Sequence, residues 1–371
     1  MPVTHSPVYF DESFDVVTGY DMLKDVPTHL QNYPLGNKYK IFVSEDIAGL
    51  YGEPLFEGMK ELRLNVTLEP IKDGEEVKRD TVAAKLRRLL HREEFDRRSC
   101  LIIVGGGTLS DLVGYVAGTY KRGIPYINIP TTFIGQTDAG IGGKTGVDDE
   151  FGKNMIGVFY NPRRIYLDPK LLVSLPNQEV VNGMGEVIKY GVGFRPDIFE
   201  FLEQSHEKVF ARNPETYEFI VHESAKTKVS VVKEDPRETR DIRTSLNLGH
   251  TTGHGIEKAT NYGLQHGLAV GLGLVVATEL SAMRGIMSRD NASRIVALLK
   301  LYGLPTKISQ IGYVVTKSDI MGPMVHDKKT VGGVVNYVLP NGIGSLQKNG
   351  MGGYSNPVGW HEIEKALDVI F

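Results

Sequence analysis

CLIIVGGGTLSDLVGYVAGTYKRGIPYINIPTT, residues 100–132, sets the fold of the first half of the chain. Cys100 to Val104 is an unbroken apolar run, Gly105-Gly106-Gly107 ends it, a helical segment follows, and Tyr126 to Thr132 is a second β-rich run. Strand, helix and strand in that order imply a parallel pair with the helix laid across one face. Working toward the N-terminus, YKIFVSED (39–46) and LRLNVTLEPI (62–71) read as further strands, and TVAAKLRRLLHREEF (81–95) as an amphipathic helix. Beyond about residue 170 the pattern changes. QEVVNGMGEVIKYGV (178–192), DIFEFLEQSHEKVF (197–210), ETYEFIVHESAKTKVSVVKE (215–234) and LAVGLGLVVATELSAMRG (268–285) are helical, with Pro169 and Pro176 punctuating the crossover. The expectation is an α/β nucleotide-binding domain over 1–170, then an all-α domain over 171–371, with an active site in the cleft between them.

Composition narrows the function classes. A chain of 371 residues with 41% hydrophobic and 23% charged residues suits two globular domains. Forty-two basic against 45 acidic side chains leave a net charge of −3, which argues against nucleic acid as a partner. No run approaches the roughly 18–20 uninterrupted apolar residues of a membrane span, and the first fifteen residues do not read as an export signal. Cys100 is the single cysteine, so an internal disulfide is impossible and a cytoplasmic location is expected.

Several segments carry chemistry. The glycines at 105–107 let backbone N–H groups approach a pyrophosphate at a helix N-terminus, although a tight turn explains them equally well. DGEEVK (73–78) offers a carboxylate and an ammonium after one strand, and PTT (130–132) two hydroxyls after another. TDAGIGGKTGVDDEFGKNMIG (137–157) supplies Asp138, Lys144, Lys153 and Asn154 among glycines, and with Arg122 it reads as an anion pocket. LNLGHTTGHGIEKATNYGLQHG (246–267) concentrates His250, His254 and His266. His250 and His254 share a helix face at i, i+4, but the intervening glutamate of HExxH is absent. Glu186 adds a carboxylate, and three N/O ligands with an open fourth position suit a catalytic metal. Spacing alone leaves open which two histidines bind it.

Taken together, GGGTLSDLVGYVAGTYKRG, IPTTFIGQTDAGIGGKTGV, GKNMIGVFYNP, GMGEVIKYG and LNLGHTTGHGIE followed by QHG resemble the 3-dehydroquinate synthase-like sugar phosphate cyclases, in order from about Gly74 to Gly344. The resemblance implies a Rossmann-like NAD-binding α/β domain, a helical metal-binding domain, and a homodimer with zinc or cobalt. It implies Glu186, His250 and His266 as metal ligands, with His254 the neighbour that handles phosphate and protons. NAD maps to Glu75, Lys78, Gly106, Gly107, Asp111, Thr131, Thr132 and Lys153. The substrate, a sugar phosphate, maps to Arg122, Asp138, Lys144, Asn154, Lys189, Lys228, Arg243 and Asn247, closed by Lys328 or Lys329. The implied reaction is a redox-neutral cyclisation of 3-deoxy-D-arabino-heptulosonate 7-phosphate with loss of phosphate, in the shikimate pathway.

Three departures from the family pattern stand out. Leu268 replaces the acid of HGE, Gly185 replaces the alanine before Glu186, and DPRETRDIR (235–243) is one residue longer. The missing acid is expected to weaken support for His266, and the longer loop loosens the assignment of Glu238 and Lys228. A sedoheptulose 7-phosphate cyclase is the alternative within the family. A metal- and NAD-dependent polyol or glycerol-phosphate dehydrogenase is the alternative from another class, separated by net NADH production.

Overall fold

The computed structural model describes residues 13–72, 74–150, 152–325, 330–331 and 334–371. The chain divides into two compact units. The first comprises Met1–Thr18, Met22–Pro130 and Gly143–Leu167, and the second Gly19–Asp21, Thr131–Gly142 and Asp168–Phe371. The chain therefore passes into the second unit for residues 131–142, well before the change of pattern near residue 170.

In the first unit the strands are β1 (Asp15–Thr18), β2 (Tyr39–Ser44), β3 (Val66–Ile71), β4 (Cys100–Gly105), β5 (Tyr126–Pro130), β6 (Lys144–Val147), β7 (Ile156–Phe159) and β8 (Arg164–Leu167). Six form one sheet in the order β1-β8-β5-β4-β2-β3, every neighbouring pair parallel, while β6 and β7 pair antiparallel. Every residue of β2 and of β4 is buried, as a strand covered on both faces must be. The helices are α1 (Val26–Asn32), α2 (Glu53–Glu61), α3 (Asp80–Arg92) and α4 (Gly107–Thr119). Leu86 and Leu90 of α3 and Leu112, Val113 and Val116 of α4 join Phe42 and Ile103 of the sheet in one core. From β2 the chain steps outward to β3, then returns to the other side of β2 for β4, β5 and β8. That reversal puts a topological switch point at the ends of β2 and β4, where doubly wound sheets bind their ligands.

The second unit holds α5 (Asn177–Gly193), α6 (Pro196–Phe210), α7 (Pro214–Glu234), α8 (His250–Ala259), α9 (His266–Met283), α10 (Arg289–Leu301), α11 (Lys317–Val325) and α12 (Trp360–Leu367). It is helical as expected, with one addition: β9 (Thr330–Val331), β10 (Val334–Tyr337) and β11 (Asn356–Val358) form a small antiparallel sheet in the order β11-β10-β9. Strands of two to four residues are too short to display a two-residue period, so the sequence pattern did not announce them. Among the described residues α9 is the one helix long and apolar enough to cross a membrane, but 72% of it is buried inside the fold. Its apolar faces are consumed by α5, α8, α10 and α12, which identifies it as a core helix.

Candidate active site

In the second unit, α5 carries Glu179, Asn182, Glu186 and Lys189 at spacings of three and four, a single stripe along one face. Upstream, the stripe fixes the start of α9. Gln265 donates to Glu179 Oε1 at 2.5 Å, and the Gly267 backbone N–H donates to Asn182 Oδ1 at 2.8 Å. The approach is close because both contact points are glycines. A Cβ on Gly185 would run into the Gly267 carbonyl, and a Cβ on Gly267 into the Asn182 carbonyl. Gly185, one of the departures from the family pattern, is thus the residue that admits α9 to this distance.

His266 is the first residue of α9 and His250 the first of α8, and both imidazoles turn toward Glu186. One donor atom from each of Glu186, His250 and His266 lies within 4.8 Å of the other two. Glu186 is fully buried. Its Oε1 is 3.1 Å from His266 Nε2 and 3.5 Å from His250 Nε2. His250 Nδ1 lies 3.1 Å from the Leu248 carbonyl, which can only accept, so the proton sits on Nδ1 and Nε2 presents its lone pair to the carboxylate. His266 Nδ1 lies 3.2 Å from Glu257 Oε1, and the same reasoning applies. Three acceptor atoms therefore converge on one point, which is unfavourable unless a cation or proton lies among them. In the protein alone a proton meets the need. Burial opposes the charged ring, but hydrogen bonds to Glu186 and Glu257 raise His266 to about 10. A divalent ion satisfies the same three atoms better, and a carboxylate with two imidazoles is a donor set for zinc or cobalt.

Lys189 and Asp138 continue the constellation. Lys189 contacts Glu186 and lies 3.6 Å from Asp138. Asp138 sits on a π-helical turn, Gly135–Ala139, and accepts from Tyr190 Oη at 2.7 Å. Lys228 of α7 approaches Asp138 Oδ1 at 2.9 Å and donates to the Asp138 carbonyl at 2.6 Å. Burial works against the Asp138 carboxylate, yet Lys189, Lys228 and Tyr190 hold it well below the usual range. Burial also works against the Lys189 ammonium, but Asp138 and Glu186 outweigh it and keep the group charged. Lys228 differs. Burial, with Lys189 and Arg243 nearby, outweighs Asp138 and lowers it to about 8. Buried Arg243 donates through its two terminal nitrogens to the Pro236 and Gly142 carbonyls, at 2.5 and 2.8 Å. Its backbone N–H and that of Ile242 are tied to the Asp235 carboxylate at 3.1 and 3.2 Å. Asn247 donates to Glu238 Oε1 at 3.4 Å. His254 stands at the edge, its side chain 45% exposed. The second unit thus gathers Asp138, Glu186, Lys189, Lys228, Arg243, His250, His254 and His266, with Asn247 at the end of the short 3₁₀ helix Arg243–Asn247.

In the first unit, Gly106 and Gly107 open α4 directly after β4, at the switch point, and among the described residues no side chain caps the helix start. A Cβ on Gly105 would meet Leu109 and Ser44, both at 2.7 Å, so the turn is tight whatever it binds. Beside it, buried Lys78 pairs with Asp111 at 2.7 Å and lies 4.0 Å from Glu75, which Lys153 approaches at 3.3 Å. Burial raises Glu75 against the pull of Lys78 and Lys153. An uncapped helix N-terminus with hydrogen-bonding side chains of both charges around it fits a dinucleotide with its pyrophosphate and ribose hydroxyls. Asn154, left-handed at φ 56°, is exposed, as is Lys144. Arg122 lies apart from these groups, lining an open surface pocket with Asp96, Arg97, Arg98 and Lys121. Thr131 is buried, and Thr132 accepts from the Gly135 N–H at 3.0 Å, both in the second unit. Lys328 and Lys329 lie outside the described residues.

Sequence reasoning missed Glu257, Tyr190, Glu179 and Asn182. The signal for Glu257 was present: with His250 and His254 it falls at i, i+4, i+7 on one helix face. Leu268 stands where the family pattern carries an acid. Two residues past His266 it is turned about 200° around the helix, and it lines a separate cavity of about 630 Å³ with Val181, Leu264 and Leu304. Glu257 supplies the carboxylate to His266 instead, so the expected loss of support does not occur.

The chain is similar to known proteins over most of its length. The family models described as 3-dehydroquinate synthase N-terminal and C-terminal match residues 69–182 and 183–330. A 3-dehydroquinate synthase of Desulforamulus reducens is 38% identical over 91% of this chain and 93% of its own. Among solved structures, the 2-epi-5-epi-valiolone synthase of Streptomyces hygroscopicus subsp. jinggangensis, with NAD+ and Zn2+ bound, aligns at a TM-score of 0.88 and 26% identity, covering 99% of both chains. A 2-deoxy-scyllo-inosose synthase complexed with carbaglucose-6-phosphate, NAD+ and Co2+ aligns at 0.87 and 25% identity, covering 96% of this chain and 97% of the other.

Proposed function

The chain belongs to the 3-dehydroquinate synthase family, and from that premise we propose that it cyclises 3-deoxy-D-arabino-heptulosonate 7-phosphate with loss of phosphate, in the shikimate pathway. The observation that carries the reading is the buried convergence of Glu186, His250 and His266 beside the Asp138–Lys189–Lys228 ion network. Glu186, His250 and His266 would hold zinc or cobalt. Gly106, Gly107, Glu75, Lys78, Asp111 and Lys153 would hold NAD. When bound, NAD+ supplies a recyclable hydride acceptor and the divalent ion a Lewis acid for a substrate oxygen.

The chain's own residues then bind, orient and move protons. Asp138 fixes the Lys189 and Lys228 ammonium groups, and Arg243 adds a third cation. Lys189, Lys228 and Arg243 are three cationic side chains within one buried cluster, and such groups suit a substrate bearing phosphate and carboxylate. Lys228 and Arg243 are the groups assigned to the carboxylate. Lys228, lowered to about 8 by burial, can give or take a proton near neutral pH as well as bind an anion. His254, whose side chain is 45% exposed, is the residue we assign to the departing phosphate.

The deciding experiment measures inorganic phosphate release from the heptulosonate phosphate and from sedoheptulose 7-phosphate in parallel. Turnover of the first alone supports the reading, and turnover of the second alone replaces it with a cyclase resembling the valiolone synthase. Absorbance at 340 nm runs alongside. Steady NADH accumulation would replace either reading with a dehydrogenase. The enzyme is further proposed to act as a cytoplasmic homodimer, which light scattering and fractionation test.

A further inference from the structure

We propose that Glu257 is a positioning residue for the metal centre, holding His266 in the tautomer whose Nε2 faces Glu186 and His250. The inference rests on the metal reading above. Glu257 is buried at 7% exposure, on the same helix face as His250 and His254 and one turn beyond the latter. Its Oε1 is 3.2 Å from His266 Nδ1, and on the opposite side of that ring Nε2 is 3.1 Å from Glu186 Oε1. Both partners are carboxylates and only accept, so the ring alone can donate to each; with an ion held at Nε2, Glu257 would be the acceptor that keeps the remaining proton on Nδ1. His250 is oriented by a backbone carbonyl, 3.1 Å from its Nδ1. Among the described residues no backbone carbonyl pairs with His266 Nδ1, and a side chain, Glu257, takes that place.

The geometry also explains why the helix start tolerates Leu268. Support for His266 comes across from α8 rather than from its own helix, because a residue two positions along α9 faces away from the ring. A carboxylate donating electron density through an imidazole to a bound ion typically strengthens the site by about 10- to 100-fold. Glu257 also stands 4.0 Å from His254 Nε2, and His254, Glu257 and His266 could themselves hold an ion. In that arrangement Glu257 would be a ligand, and the chain would bind two ions.

The test is Co2+ binding to the full chain, followed by its visible absorption, by competition with a chelator, and by metal content per chain. Wild type is expected to bind one ion, and Glu186→Gln and His250→Ala to bind none. Failure of wild type to bind overturns the metal reading itself. If wild type binds, Glu257→Ala is expected to weaken the site about 10- to 100-fold and to shift the cobalt spectrum. Glu257→Gln, which keeps an acceptor for Nδ1–H, should recover part of the loss. The metal-free melting temperature of Glu257→Gln serves as the fold control. Wild-type affinity in both variants, equal losses in both with early unfolding, or two ions per wild-type chain would each overturn the proposal.

Discussion

Replacing Asp138 by asparagine probes the ion network most directly. The substitution keeps shape and hydrogen-bonding capacity but removes the charge that faces Lys228 at 2.9 Å and Lys189 at 3.6 Å. With an effective dielectric constant near 20, those separations correspond to about 6 and about 5 kcal/mol of gross attraction. At about 1.4 kcal/mol per pH unit, the Lys228 contact alone supports as many as about four units. Partial exposure of Asp138 and relaxation of the flexible lysine reduce this, and a fall of about two units is expected. From its wild-type value of about 8, Lys228 would move to roughly 6. At pH 7.5 its charged fraction would drop from about three quarters to a few per cent, lowering kcat/KM by at least about 20-fold. The assay is the pH dependence of kcat/KM for phosphate release, which reports groups of the free enzyme. Wild type should lose activity as pH rises through about 8, and the variant through about 6. A variant limb that stays near 8 would refute the assignment of this ionisation to Lys228.

Further perturbations test other parts of the structure. Because folded Lys228 lies below its ordinary 10.5, the unfolded chain holds more protons between about 8 and 10.5, and its contribution makes stability rise with pH across that window; urea unfolding at both ends measures it. Gly185→Ala forces a methyl against the Gly267 carbonyl, so unfolding should show a loss of about 1–3 kcal/mol together with weaker Co2+ binding. Arg243→Lys forfeits the paired bonds to Pro236 and Gly142, and KM should rise about tenfold or more with a smaller change in kcat. Lys78→Met leaves Asp111 without its 2.7 Å partner, and titration by fluorescence should show NAD+ affinity reduced about tenfold or more. Prolonged chelation should abolish phosphate release, and Zn2+ or Co2+ should restore it.

Much of the fold was legible because its signals are local. Cys100–Gly105 and Tyr126–Pro130 form strands over the apolar and β-rich runs, and the helical stretches from Gln178 onward fall within α5, α6, α7 and, apart from Arg284 and Gly285, α9. The candidate site was legible by another route, since only the ordered set of motifs selects His250 and His266 over His254 as the proposed ligands. What stayed hidden depends on distance across the fold. Leu268 drew suspicion because it is adjacent in sequence to His266, whereas Glu257, nine positions away, holds the ring. Arg122, grouped by charge with Lys144 and Asn154, lines a surface pocket with Arg97 and Arg98 instead.

The sequence alone determined the element types, the glycine turn after β4 and the inventory of donors. Periodicity and turn chemistry act over a few residues, so they survive being read along a line. Only the tertiary structure decided which charges meet. Glu186 reaches His266 across 80 positions and Lys228 reaches Asp138 across 90. The interaction of two groups in a low-dielectric interior depends on their separation in space and on how much water remains between them, and neither quantity is encoded in their spacing along the chain.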